Sequence, residues 1–244
     1  MRISRLYLND SLNTGQNIEL NDDAAHYLRS VLRLKKDAEV ILFNGLGGEY
    51  RCTLLEVSRK TVCVSINEKI DRSVESSLNV TIGMGISRGD RMDMAIQKSV
   101  ELGVNSIIPL ITQRCNVVIK ADKAEQKIKH WQKIAQHAAE QSGRTVVPKI
   151  HPIAQFPNWI EQNFDEALKI FLDPYSNTVM NQLKNESDSV LLLTGSEGGF
   201  CEQERDSAIA KGFSPICLGQ RILRTETASL AALAAVQTLW GDFS

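Results

Sequence analysis

Glu226 sits between Arg224, Thr225 and Thr227, with Arg221 just before them, at the head of a long apolar segment. Guanidinium forks at such a place hold a phosphate or a carboxylate. Three of these groups also have a structural reading: Thr225 or Thr227 can cap the helix that follows, and Glu226 suits the positive end of its dipole. The arginines are harder to absorb in that way. Free amides at a helix start combined with guanidinium groups attract an anion.

Two glycine-bearing turns, each directly after a β-like apolar run, would bring ligand-binding backbone to the same place. Val190 to Thr194 leads into Gly195-Ser-Glu-Gly-Gly-Phe200, and Ile216 to Leu218 leads into Gly219-Gln-Arg-Ile-Leu-Arg224. Glycine lets backbone approach a ligand closely, and paired loops at the carboxyl ends of strands expose several amides and carbonyls together. Either turn alone could be an ordinary connection. The spacing matches neither G-x-G-x-x-G nor a phosphate loop ending in Gly-Lys-Ser/Thr, so the dinucleotide and nucleoside-triphosphate readings lose their warrant and a different nucleoside-like ligand stays open.

Other polar clusters have plainer readings. Glu140-Gln-Ser-Gly-Arg144 reads as a helix C-cap with a helpful cation, and Arg88, Arg91, Lys98 and Glu101 as a solvated helix face. His130 and His137 share a helix face without any zinc-ligand spacing, so they read as surface or packing residues. Cys52, Cys63, Cys115, Cys201 and Cys217 contain no C-x-x-C pair and are expected to be reduced, mostly buried thiols. Neither a metal site nor a hydrolase triad is indicated.

The elements that would carry these residues fall into two regions. Residues 1–72 are β-rich: Arg5–Leu8, Glu39–Phe43, Tyr50–Val57 and Thr61–Ile66 are strand candidates, and Asn44 to Gly48 is a turn. Asn21 or Asp22 can cap one helix, in which Ala25, Leu28, Val31 and Leu32 recur at helical spacing. A small barrel is the natural closure. Asp71 to Ser77 suits a linker.

Residues 73–244 alternate strands with helices, the signature of an α/β domain with a mainly parallel sheet. Strands are expected at Asn79–Met84, Ser106–Ile111, Leu168–Leu172, Val190–Leu193 and Pro215–Leu218. Helices are expected at Asp90–Leu102, Ala121–Ser142 and Glu226–Trp240. The last is apolar on nearly every face and predicts burial all round, by threading through the domain, by a partner subunit or by tight covering.

With 244 residues, 43% hydrophobic and 23% charged, the chain reads as an ordinary globular protein. Its net charge of -1 argues against broad electrostatic coating of nucleic acid, so any RNA contact is localised. No run is apolar enough to span a bilayer and the start lacks a secretory core, which predicts a cytoplasmic protein.

The glycine turn at 195–200 and Leu218 to Ala228, with Glu140 to Arg144 and Lys98-Ser-Val-Glu-Leu-Gly-Val104, strongly resemble the RsmE family. These are 16S ribosomal RNA uridine-N3 methyltransferases of the SPOUT class. His26, Val31-Leu-Arg33 and Asn44-Gly-x-Gly47 look like the family's amino-terminal module, so the resemblance covers essentially the whole chain.

It implies a PUA-like β-barrel followed by a trefoil-knotted α/β methyltransferase domain, a homodimer, S-adenosylmethionine as cofactor, and 16S RNA, within the 30S subunit, as partner. The cofactor would be held by Leu172, Leu193, Thr194, Gly195, Glu197, Gly198, Gly199, Leu218, Gly219, Ile222, Leu223, Thr225 and Thr227. Glu226 is the candidate base, and Arg224 the residue that stabilises the uracil anion or grips the adjacent phosphate. Arg2, Arg5, Arg33, Arg88, Gln141, Arg144 and Arg221 are the candidate RNA contacts. One departure is visible: Ser196 stands where the family usually has proline, and a looser turn is expected there. Two rivals stand beside this reading: a non-catalytic RNA-binding module, and a knotted enzyme acting on another RNA or on a ribose hydroxyl.

Overall fold

The computed structural model describes residues 3–59, 61–164 and 168–243. Arg2 lies outside the described residues. The chain divides into two compact units, residues 1–75 with 139–147, and residues 76–138 with 148–244.

In the first unit, β1 (Ser4–Tyr7), β2 (Asn17–Glu19), β3 (Glu39–Phe43), β4 (Glu49–Val57) and β5 (Val62–Ile70) form one sheet in the order β1-β3-β4-β5-β2. β1 runs parallel to β3 and the other pairs are antiparallel. Alternation sends Leu6, Val40, Leu42, Cys52, Leu54, Val64 and Ile66 into one core. The helix α1 (Asp22–His26) starts at Asn21, whose Oδ1 accepts from Ala24 N at 3.0 Å, and continues into a π-helical turn over Tyr27–Val31. β2 has no apolar alternation of its own and forms because Ile18 lies opposite Val64.

Carboxylates hold the edge of this unit together. The turn after β3 carries Gly45, Gly47 and Gly48 at positive φ and delivers Glu49, 5% exposed, to an ion pair with Arg5 and a longer one with Arg72 at 3.4 Å. Arg144, 4% exposed, is paired through Nε to Glu75 at 2.8 Å, and Arg5 donates to the Arg144 carbonyl at 3.0 Å. Two residues expected to touch RNA, Arg5 and Arg144, are therefore engaged inside this unit.

The second unit contains β6 (Asn79–Gly85), α2 (Asp90–Glu101), β7 (Ser106–Ile111), α3 (Ala121–Ser142), β8 (Lys149–Ile150), β9 (Ala154–Gln155) and α4 (Phe156–Trp159). After these come β10 (Leu168–Leu172), β11 (Ser189–Thr194), α5 (Glu202–Ala210), β12 (Ser214–Ile216) and α6 (Thr225–Trp240). All strand pairs are parallel, in the order β12-β10-β11-β6-β7-β8, with β9 also against β7. β11 is buried at every position but the first, as an inner strand covered on both faces requires. Strand order reverses between β6 and β11, which makes a switch point where ligands of open α/β sheets bind.

Within a single chain α6 buries Glu226, Ser229, Ala232, Leu233, Val236 and Gln237 and exposes Thr227, Ala231, Thr238 and Leu239, the side left for a partner subunit to cover. The expectation of mostly buried cysteines is corrected. Of the cysteines, Cys52 and Cys201 are buried and the other three only partly so; burial pushes the Cys52 thiol up to about 12. Among the described residues, no helix is long and apolar enough to cross a membrane.

Glu75→Ala is expected to cost about 3–5 kcal/mol, because it removes the carboxylate that the buried Arg144 meets through Nε and that also accepts from Thr145 N and Val146 N, whereas replacing both Glu75 and Arg144 by apolar residues of similar size costs less. Urea unfolding of the single and double variants checks this; equal losses would show that the pair is not what matters.

Candidate active site

The loops after β10, β11 and β12, all at the carboxyl end of the sheet, enclose a cleft of about 460 Å³. It is lined by Phe171, Leu172 and Ile216, by the turn from Thr194 to Phe200, by residues of the stretch from Cys217 to Thr225, and by Glu226.

Close backbone packing shapes the first turn. A β carbon on Gly195 would lie 3.1 Å from the Gly199 Cα, and Gly199 adopts φ 67° while donating to the Ser196 carbonyl at 2.8 Å. A β carbon on Gly198 would lie 2.7 Å from the Arg114 Cβ. Ser196 does not loosen this turn: it is 4% exposed, and its hydroxyl meets that of Thr112 at 2.9 Å. The hydroxyl fastens the turn to the chain after β7, where a proline ring would fasten it through backbone rigidity.

The second loop leads straight into α6. The Ser229 hydroxyl lies 3.1 Å from Thr194 Oγ1 and 2.9 Å from the Thr225 carbonyl, so the start of α6 is tied to the end of β11. The cap differs from expectation. Arg224 is the N-cap residue, with no side-chain cap hydrogen bond, and neither Thr225 nor Thr227 fills that role. The start of α6, at Thr225 and Glu226, therefore meets the cleft without a cap from the Arg224 side chain. Glu226 is 9% exposed, and its buried Oε2 has no hydrogen-bond partner among the described residues. A buried, unsatisfied carboxylate oxygen is costly unless a ligand or a proton meets it.

Most of the residues expected to hold a cofactor come together here: Leu172, Thr194, Gly195, Glu197, Gly198, Gly199, Leu218, Gly219, Ile222, Leu223 and Thr225 line the cleft, with Arg221, Arg224 and Glu226. Leu193 and Thr227 do not. Leu193 packs with Leu191, Phe171 and Phe200 in the core, and Thr227 faces outward from α6. Arg88 is exposed just before α2, outside the cleft lining, and in the first unit Arg33 is exposed at φ 53° and Gln141 is exposed on the last turn of α3.

Sequence reading missed one wall. Asp173, at the end of β10, is 4% exposed and accepts from Tyr175 N at 3.0 Å and from Arg205 at 2.7 Å; the Arg205 guanidinium stacks 5.3 Å from the Tyr175 ring centre. The Asp-Pro pair after an apolar strand was a usable sign of a turn, but Arg205 lies on α5, whose mostly polar face carries no helical apolar period. Arg91, paired with Glu197 at 2.6 Å, and Arg114 were also missed as cleft residues. Such a cleft suits a planar, nucleoside-like ligand: it is lined by apolar side chains, backbone polar groups, arginines and a carboxylate.

Comparison with known proteins agrees with this geometry. Residues 74–237 match the RNA methyltransferase domain and residues 20–67 the RNA methyltransferase PUA domain, which sets the class as an RNA methyltransferase carrying a PUA domain. A protein of Buchnera aphidicola, called ribosomal RNA small subunit methyltransferase E, is 37% identical over 99% of this chain and 96% of its own length. One of the same designation from Bacillus subtilis is 32% identical over 89% of this chain and 88% of its own. The chain belongs to the ribosomal RNA small subunit methyltransferase E family.

Solved structures agree. The Neisseria gonorrhoeae member, bound to S-adenosyl methionine, superposes with a TM-score of 0.94 at 38% identity over the full length of both chains. A Legionella pneumophila methyltransferase in complex with the same cofactor gives 0.96 at 35% identity, again over both full lengths.

Gly85→Ala tests the packing beneath the cleft. The new β carbon would lie 2.2 Å from Ser196 N and 2.5 Å from the Gly195 carbonyl carbon. Overpacking of this kind costs about 1–3 kcal/mol, seen as a fall of several degrees in Tm; calorimetry showing an unchanged Tm would contradict the close approach.

Proposed function

We propose that this protein methylates N3 of a uridine in 16S ribosomal RNA of the small subunit, using S-adenosylmethionine held in the cleft behind the two glycine turns. The observation that carries this reading is the Glu226 carboxylate, buried at the cleft with Oε2 unpartnered, in a chain of this family. The residues fit the cofactor: the glycine turns leave room for an adenosine against backbone, and Leu172, Ile216 and Leu223 offer apolar contact.

When bound, S-adenosylmethionine supplies an electrophilic methyl group: the N3–carbon bond forms as the carbon–sulfur bond breaks, and sulfur keeps the electron pair. The N3 proton must leave, because it occupies the lone pair that attacks. Glu226 takes that proton on a carboxylate oxygen, while Arg224, exposed at the N-cap of α6, stabilises the uracil anion or grips the neighbouring phosphate. The turn from Gly195 to Gly199 and Leu218-Gly219 would hold the cofactor, and the target base must be unstacked to reach it.

The trefoil knot belongs to this proposal. It is supported by the way the chain beyond β12 is bound to the connection that follows β10: Cys217 N donates to the Thr178 carbonyl at 2.8 Å and Val179 bridges Cys217, before α6 packs on α2. The exposed stripe of Thr227, Ala231, Thr238 and Leu239 supports the homodimer, since small residues let helices approach closely. The PUA-like barrel also belongs to this proposal: the five-stranded sheet of the first unit, in the order β1-β3-β4-β5-β2, supports it, and the exposed Arg33 supports an RNA-binding role. Arg5 and Arg144 serve instead as internal cations, and RNA gripping falls to Arg33, Arg88, Arg221 and Arg224.

Methyl transfer from labelled S-adenosylmethionine to 30S subunits and to free 16S RNA, both from cells lacking this protein, should yield 3-methyluridine. Another methylated nucleoside, or none, would sink the assignment. Glu226→Gln should lower turnover about 10²–10⁴-fold with cofactor affinity preserved; full turnover would remove Glu226 as the base.

A further inference from the structure

Arginines 91, 114, 205, 221 and 224 all line the cleft, but they are not equivalent. Arg91 is neutralised by Glu197 at 2.6 Å and Arg205 by Asp173 at 2.7 Å. Arg221 and Arg224 are the two that the motif itself offers. Arg114 makes no ion pair among the described residues, is exposed, and reaches one acceptor, the Gly198 carbonyl, at a long 3.4 Å.

Its backbone is held firmly against the glycine turn. Thr112 meets Ser196 at 2.9 Å, Gln113 N donates to Glu204 at 2.7 Å, and Cys115 N closes a turn on the Thr112 carbonyl at 3.0 Å. On the other side, a side chain at position 198 would collide with Arg114, its β carbon 2.7 Å from Arg114 Cβ and 2.8 Å from the Arg114 carbonyl oxygen. Position 198 must therefore stay glycine for the arginine to rest there. The result is an uncompensated cation on a rigid stem at the mouth of the cleft, in a chain whose net charge is -1. A preplaced guanidinium loses little freedom on binding and suits a phosphate better than a mobile lysine does.

We propose that Arg114 is a positioning residue for the methyl acceptor, gripping a backbone phosphate of the RNA beside the target nucleotide and registering it on the turn that holds the cofactor. This rests on the reading of the protein as an RNA methyltransferase. The residue acts on the RNA backbone and carries no information about base identity.

Arg114→Gln keeps a donor for the Gly198 carbonyl and removes the charge; Arg114→Lys keeps the charge and loses the fork. The probe is 16S RNA from cells lacking this protein, titrated at several salt concentrations, with S-adenosylmethionine affinity measured separately. Arg114→Gln should reduce the slope of log affinity against log salt by about 1 and raise KM for RNA several-fold, with cofactor affinity within twofold of the parent. Arg114→Lys should recover the slope.

An unchanged slope in Arg114→Gln overturns the proposal, whether or not cofactor affinity falls; a parallel fall would mean that the residue only braces the turn. A parent protein that methylates RNA while its Arg114→Gln variant keeps the parent's slope overturns this assignment alone. A parent with no salt-dependent RNA binding overturns it together with the proposed function.

Discussion

A β carbon on Gly85 would sit 2.2 Å from the backbone nitrogen of Ser196, and the candidate site depends on that closeness. β6 and β11 lie side by side where strand order reverses, and the end of one passes directly against the turn leaving the other. The contact holds the turn from Gly195 to Gly199 in place, and that turn in turn receives Thr112 from one side and, through Thr194 and Ser229, the first turn of α6 from the other. Glu226 and Arg224 thus stand at the start of a helix fastened to the end of β11 through Ser229 and Thr194. The glycines at 85, 195 and 198 share one function, which is to let main chain approach main chain.

Charge is divided between holding the protein together and leaving groups available to a ligand. Arg5, Arg144 and Arg205 face carboxylates that are themselves largely buried, and such pairs are expensive to break from one side. Arg221 and Arg224 have no such partner among the described ion pairs and remain exposed at the cleft. An arginine's type and its place in a motif look the same in both cases. Its role follows from whether a carboxylate lies within reach, and Glu49 and Glu75 are 44 and 69 residues from Arg5 and Arg144 respectively.

The elements that were legible are those with a strong local period or a clean apolar run. Ala121–Ser142 and Leu168–Leu172 appear at the expected bounds, because an amphipathic stripe ended by Gly143 and a short apolar strand leave little choice. β2, β8 and β9 are two or three residues long and take their form from strands far away in sequence. α5 was overlooked for a related reason: Glu204 and Ala208 are its buried residues, and its start is set by a capping box between Cys201 and Glu204. The cluster from Glu140 to Arg144 reads as a helix end, and nothing local reveals that Glu140 accepts from Tyr7 N at 3.0 Å.

By itself the sequence determined the two glycine turns, the parallel α/β pattern, the β-rich amino-terminal region and the family, because each is written in contiguous residues with specific spacing. It also marked Glu226 as the carboxylate of interest. Only the tertiary structure decided that Leu193 and Thr227 stand outside the cleft while Asp173, Tyr175, Arg205, Arg91 and Arg114 line it, and that Ser196 is fastened by Thr112. Facing direction, burial and partner choice depend on distances between residues remote in the chain, and those distances exist only once the sheet has brought its strand ends together.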